Sequence, residues 1–399
     1  LILVYEAAGT TLNGNAVIFL QKLGPTITNW FYDTKQDPRL GQFTADFART
    51  IYEEEQFNGV RVPLRAMYYP DWGINQTYPE CPYTAHPRSG VVEADAYACT
   101  ESDLSHIKAA SAGTVVYTSL KMAYYEGDDN YEKGFYPPFP DWCLYDESDI
   151  ETGAWDGKKS SQVKAVAYAE LLADHLQYFE ARGYTFEYLG VENESGYISA
   201  NVFVALMTEL SRLSQERGFA LPGVVAPDFY TPVASWYREV AELGGSHFIS
   251  VAGTHFYGWE REWTEDGRLH LQEKLIKFKA AVPEGVPLWH TEVHYGTVSK
   301  MRHERGENAT EMDSIEDLLL QFADYFDLGM TGFVWWAYRS ESMQKDDSVK
   351  QHVFHEWTDE TMGAAPVLVD DHDGKRATRM PLPLGVLHPN PASLPIINF

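Results

Sequence analysis

Eight strand-like segments alternate with helical ones between Thr26 and Trp336, and this alternation predicts an α/β fold, a closed TIM (β/α)8 barrel. Two further observations point the same way. A doubly wound sheet would usually carry a Gly-rich phosphate turn after an early strand, and the chain has none. Two of the strand-like segments, Phe186–Val191 and Leu288–Glu292, run straight into carboxylates, and the C-terminal strand ends are where a barrel keeps its reactive groups.

The elements follow in order. Leu1–Tyr5 and Ala16–Leu20 flank Asn13-Gly14-Asn15, a hairpin signal, so residues 1–25 are expected to form an N-terminal hairpin. Thr26–Phe31 is the first barrel strand. Asp37–Glu55 reads as an amphipathic helix, with Phe43, Phe47 and Ile51 at four-residue spacing. Gly59–Leu64 is the second strand, and a long loop from Tyr68 to Thr100 precedes the helix Glu101–Ser111. Thr114–Ser119 is the third strand, followed by a loop rich in Tyr, Trp, Pro and Asp from Tyr124 to Lys159.

Ser160–Arg182 is a helix stopped by Gly183, and Ala200–Arg217 a helix closed by Gly218. Phe186–Val191, Val224–Ala226, Val251–Phe256, Leu288–Glu292 and Phe333–Trp336 complete the strands. Pro232–Leu243, Leu271–Ala281 and Ser314–Leu328 are the remaining helices. The barrel thus spans 26–345. Residues 346–399 have weak periodicity and many prolines, and are expected to be an extension packed on the barrel rather than a second domain.

Composition narrows the function. A chain that is 44% hydrophobic can build a core. No apolar run reaches membrane-spanning length, and the opening Leu-Ile-Leu-Val-Tyr lacks the basic stretch of a leader peptide. The net charge of −27 repels a phosphate backbone, so no nucleic-acid partner is expected, and it suits a secreted or extracellular protein. Cys81 and Cys99 share one irregular stretch; a disulfide closing it and unrelated buried thiols, with Cys143, both remain open.

The strand ends assemble a specific set: Arg61 and Arg65, Lys121, Asn193 and Glu194, His255 and Tyr257, Glu292, then Trp335 and Trp336. Two carboxyl groups across an anomeric carbon hydrolyse a glycosidic bond. A separation near ~5 Å implies retention, and ~6.5–9.5 Å implies inversion. Glu192 lies two residues before Glu194, and strand alternation would give both one face, so it competes for the acid role.

Asn193-Glu194 after the fourth strand, Glu292 after the seventh, His255-Phe-Tyr257 after the sixth and Trp336 on the eighth resemble clan A of the retaining glycoside hydrolases. The run Gly-Tyr-Thr-Phe-Glu-Tyr-Leu-Gly-Val-Glu-Asn-Glu most resembles glycoside hydrolase family 30. The resemblance implies Glu194 as general acid/base and Glu292 as nucleophile, with Asn193 on the sugar 2-hydroxyl. It further implies Tyr257 and Arg61 holding Glu292 ionised, His255 among the substrate-binding residues, and Trp336 as the floor of the subsite. No cofactor is implied. Two departures stand out: Ser195 replaces the proline usual after the acid/base, and the short tail leaves little room for the β-sandwich usual in family 30.

The sequence therefore predicts a retaining β-glycosidase acting, by endo cleavage, on a β-linked polysaccharide. Lys300, Arg302, His303 and Arg305 form a basic group in an acidic protein, either a solvated charge run or a patch for sulfated or uronic sugars such as those of agar or carrageenan. Two other readings stay open. His255, His290, Glu292 and His294 could hold the metal of a metal-dependent hydrolase, His290, Glu292 and His294 alternating onto one strand face. Or the barrel binds glycans without cleaving them.

Overall fold

Short strands, of three to seven residues here and buried almost throughout, are what an all-parallel barrel demands, because helices cover one face and the barrel interior the other. β3 (Asn29–Asp33), β4 (Gly59–Leu64) and β9 (Leu288–Val293) are buried at every position. With β5 (Val115–Leu120), β6 (Tyr188–Gly190), β7 (Gly223–Phe229), β8 (Val251–Thr254) and β10 (Met330–Trp335) they close in the order β10-β3-β4-β5-β6-β7-β8-β9, every pair parallel. The predicted TIM barrel is the fold. The structure is a computed structural model that describes residues 10–12, 15–17, 26–34, 45–49, 51–52, 57–64, 97–120, 139–256, 265–293 and 322–335.

A small antiparallel pair, β1 (Thr10–Leu12) with β2 (Asn15–Val17), precedes the barrel, with Leu12 opposite Asn15. Leu1–Tyr5, the extension 346–399 and the basic group at 300–305 lie outside the described residues, as does Cys81.

The helices follow from their apolar spacing. α5 (Ala200–Arg217) buries Val202, Phe203, Leu206, Met207, Leu210 and Leu213, a three-four repeat that lines one face. Ser199 caps its N-terminus, accepting from the Val202 amide, and Gly218 ends it in the left-handed conformation a Cβ would oppose. α4 (Ala165–Glu180) starts five residues later than predicted, because 159–161 form a separate turn of 3-10 helix. The region read as one long loop up to Lys159 also contains α3 (Glu147–Glu151), nucleated by a reciprocal cap in which Asp146 accepts from the Ser148 amide and Asp149 accepts from the Asp146 amide.

The barrel interior has a simple rule. In one layer, large inward side chains stand on alternate strands, Phe31 on β3, Tyr117 on β5, Val225 on β7 and Trp289 on β9, with Tyr188, Val251 and Val334 of the intervening strands packed against them. The strands between them offer glycine to the same space. A Cβ on Gly59 would run into the Phe31 ring, one on Gly190 would lie 2.5 Å from the Tyr117 hydroxyl, one on Gly253 would meet Val225 and Thr291, and one on Gly332 would enter the Trp289 indole. Phe31 and Trp289 rings meet at 5.1 Å and Tyr188 and Trp289 at 4.6 Å, so the floor below the barrel mouth is an aromatic plug.

Overpacking so tight an interior forces side chains off their rotamers. Gly332→Ala is therefore expected to lower unfolding free energy by about 1–3 kcal/mol. Gly113→Ala, whose Cβ would meet nothing within 4 Å, should stay within about 0.5 kcal/mol of the parent. Urea unfolding of the two variants checks the contrast.

Candidate active site

Above the plug, inward positions at the C-terminal strand ends converge on one guanidinium. Arg61 of β4 is only 3% exposed. Its Nη1 donates to Glu292 Oε1 at 2.7 Å and to the Thr291 carbonyl at 3.2 Å, and it pairs with Asp33 Oδ2 at 3.2 Å. Its Nη2 donates to Ser119 Oγ at 3.1 Å and to Asp228 Oδ2 at 3.4 Å. Burial alone would favour discharging Arg61, but the Asp228, Glu292 and Asp33 charges outweigh it and hold the guanidinium above its ordinary range.

Asp228 is fully buried and is faced by groups from β5 and from the end of β8. The Tyr117 hydroxyl donates to Oδ2 at 2.8 Å, Ser119 Oγ to Oδ2 at 3.4 Å, and His255 Nε2 lies 3.3 Å from Oδ1. Burial opposes its ionisation, yet the Arg61 and His255 charges keep its carboxyl well below the usual carboxylate range. The same burial, with the Asp228 charge, drives the Tyr117 phenol well above its ordinary range, so it stays a donor.

His255 follows β8 by one residue and is fully buried. Its Nδ1 lies 2.5 Å from Glu194 Oε1 and 3.5 Å from Glu292 Oε2. Burial lowers its proton affinity, but the Glu292, Glu194 and Asp228 carboxylates more than reverse this and push it up to about 10. The enclosed ring of His255 thus lies among carboxylates. Burial raises the Glu292 carboxyl, with the His255 and Arg61 charges pulling it back.

Glu194 has left the strand. β6 ends at Gly190, and Glu194 takes a left-handed backbone, φ 56°, with its amide donating to the Asp228 carbonyl at 3.1 Å. Alternation therefore does not reach it, and Glu192 and Glu194 do not share a role. Glu192 is 1% exposed, its Oε1 accepting from Ser195 Oγ at 2.5 Å and from the Gly196 amide at 2.7 Å. It clips the turn that carries Glu194, and Ser195, in the place of the usual proline, supplies the hydroxyl for that clip. Asn193 is buried beside them, and its Oδ1 has no hydrogen-bond partner among the described residues.

The metal set predicted on β9 does not assemble. His290 pairs with Phe333 and Val293 with Trp335, so two residues of β9 lie opposite one of β10. This bulge breaks the alternation. His290 packs outward on Phe256 and Tyr325 at 4.8 and 4.9 Å, while Glu292 turns to Arg61. His294, Tyr257 and Trp336 lie outside the described residues. Among the described residues Glu194, His255 and Glu292 do offer one ligand atom each within 4.8 Å of one another. The other ring nitrogen of His255, Nε2, lies 3.3 Å from Asp228 Oδ1.

Asp228, Asp33, Tyr117 and Ser119 were not among the predicted site residues. The signal for Asp228 was an acid two residues beyond the strand expected at Val224–Ala226, which in the structure runs on to Phe229. β7 carries a bulge here, Pro227 and Phe229 pairing with the adjacent Gly253 and Thr254, and Asp228 sits between them at φ 62°. In the aromatic-rich segment before Lys159, Trp155 donates from Nε1 to the Lys158 carbonyl at 2.9 Å.

No protein-family model matches the chain, and no curated protein matches it by sequence. Solved structures do share its fold. A conserved exported protein from Bacteroides fragilis is similar at 10% identity and a TM-score of 0.51, covering 78% of this chain and 70% of the other. The endo-β1,6-glucanase BT3312 is similar at 15% identity and a TM-score of 0.50, over 79% of this chain and 67% of that one. A GH30 endoxylanase from Clostridium papyrosolvens C71 is 14% identical with a TM-score of 0.47, over 82% and 71%. No helix among the described residues is long and apolar enough to cross a membrane.

The Glu192 clip has a pH signature. Burial, only partly offset by the Ser195 and Gly196 donors, raises its carboxyl from 4.5 to about 7. The folded protein then holds a proton that the unfolded chain releases, so stability is full below pH 4.5 and falls as pH rises toward 7. Glu192→Gln should remove that decline, so that denaturant unfolding at pH 4.5 and pH 7 differs less in the variant than in the parent.

Proposed function

We propose that the chain is a retaining β-glycosidase of the clan A type, nearest in pattern to family 30, that cleaves a β-linked polysaccharide internally. One observation carries the reading: oxygens of Glu194 and Glu292 approach within 4.8 Å across the barrel mouth. That is the short separation of double displacement, since inverting pairs stand ~6.5–9.5 Å apart to admit a water.

The chemistry divides between the two carboxyl groups. Glu292 attacks the anomeric carbon, and the bond to the leaving oxygen breaks as that oxygen takes the proton of Glu194. A glycosyl ester forms on Glu292. Glu194, now a carboxylate, removes a proton from water, which attacks the anomeric carbon and frees Glu292. Arg61 fixes the Glu292 oxygen at 2.7 Å and is the cation beside it. The Asn193 amide is assigned to the sugar 2-hydroxyl, and Tyr257 and Trp336 take the roles the family pattern implies.

Endo action rests on the long segments after the second and third barrel strands, which suit a cleft for several sugars, and on the structural likeness to an endo-β1,6-glucanase. Secretion rests on the acidic charge of −27 and on the likeness to an exported protein.

A panel of β-glucans, xylans and galactans, including sulfated ones, with products sized and followed by NMR, tests the proposal. The first anomer released should be β, and activity should survive chelation of metals. Glu292→Gln should abolish turnover and keep polysaccharide binding. Glu194→Gln should lower kcat on unactivated substrates by about 10²–10⁴. Release of the α anomer, or full activity in Glu292→Gln, would overturn the reading.

A further inference from the structure

A buried carboxylate that makes no approach to the anomeric carbon, held in a backbone conformation unusual for aspartate, asks what it is there to do. Asp228 sits at φ 62° and is fully buried. Its two oxygens divide the labour: Oδ2 takes Arg61, Tyr117 and Ser119, and Oδ1 faces His255 Nε2 at 3.3 Å. On the far side of the same ring, Nδ1 reaches Glu194 at 2.5 Å. Nδ1 is thus within hydrogen-bond distance of one carboxylate, and Nε2 lies at ion-pair distance from another without a hydrogen bond between them. Two carboxylates flanking one ring favour its positively charged form.

The structure assigns Asp228 as a positioning residue, whose negative charge at Nε2 keeps His255 an imidazolium and aims its Nδ1 proton at the acid/base Glu194. This deepens, and rests on, the glycosidase reading. Among the described residues, the charged groups facing His255 include Glu194 beyond β6, Asp228 from β7 and Glu292 from β9, with the Arg61 cation of β4 behind the last two.

A consequence follows for the proton that Glu194 must deliver. In the resting site it resides on His255, and Glu194 accepts from it. On attack, the Nδ1–H bond breaks and a Glu194 O–H bond forms, the ring becoming neutral with its remaining proton on Nε2 beside Asp228. Glu194 then protonates the leaving oxygen. In the second half the water proton taken by Glu194 returns to Nδ1, and the count closes. Without the Asp228 charge, the ring would lose the partner that keeps Nε2 protonated through this cycle.

The test reads His255 directly. In intact protein labelled with 15N-histidine, the His255 ring signals are identified by their loss in His255→Gln, and long-range 1H–15N spectra are followed with pH. The parent should show the imidazolium at pH 8, where an ordinary histidine, titrating near ~6.5, is neutral. Asp228→Asn, a residue that tolerates the left-handed backbone, should move the midpoint down by at least about one unit. On aryl glycosides of a sugar from the panel above, the variant should lose at least about tenfold in kcat with a poor leaving group, and far less with dinitrophenol, which needs no acid.

A neutral His255 in the parent at pH 8, or an unmoved midpoint in Asp228→Asn, would overturn the assignment. An equal loss with both leaving groups would do the same, showing damage to the fold alone. Inactivity of the parent on every glycan would instead count against the glycosidase reading and leave the spectroscopic result to stand on its own.

Discussion

A guanidinium shut away from water must be surrounded by negative charge, and Arg61 makes that demand of half the barrel. Its partners come from β3, β5, β7 and β9: Asp33, Ser119, Asp228 and Glu292. Desolvating such ions costs several kcal/mol each, and mutual attraction repays it only when hydrogen bonds are well placed. The cluster is thus a poor source of net stability and a strong source of geometry. Four strand ends can relax only together, because moving any one strands a buried charge.

The plug beneath makes the arrangement workable. Aromatic and aliphatic groups from alternate strands, facing glycine on their neighbours, fill the barrel and exclude water from below. The charged layer therefore rests on a dry, stiff floor and opens upward only. With low polarisability beneath, each charge in the layer acts strongly on the next. A histidine with three carboxylates around it accordingly behaves unlike histidine in solution.

Much of this was legible in the sequence. Gly59–Leu64 and Ala200–Arg217 were read to the residue, because apolar period and capping residues agree there. The strand-end rule placed Arg61, Glu194, His255 and Glu292 in one region, where the structure has them. What escaped were departures from regular geometry. Alternation is a rule for unbroken strands, and two bulges broke it: one turned Asp228 inward behind Pro227, and the other turned His290 away from Glu292. The shared face expected for Glu192 and Glu194 did not arise either, since β6 ends at Gly190 and Glu194 stands beyond it in a left-handed backbone. The pairing of glycine with aromatics inside the barrel was equally out of reach, because it joins residues distant in sequence and appears only once the register is known.

Glu194 and Asp228 are the two non-glycine residues found with left-handed backbones among the described residues, and a hydrogen bond joins the amide of one to the carbonyl of the other. Such conformations suit glycine or asparagine better than an acid. The two torsions the polypeptide would most readily trade away thus belong to groups at the reactive centre. Neutral drift toward a calmer backbone runs directly into loss of the acid, so in a lineage freed from its substrate these sites should decay first, and the barrel should grow more robust as its chemistry fades.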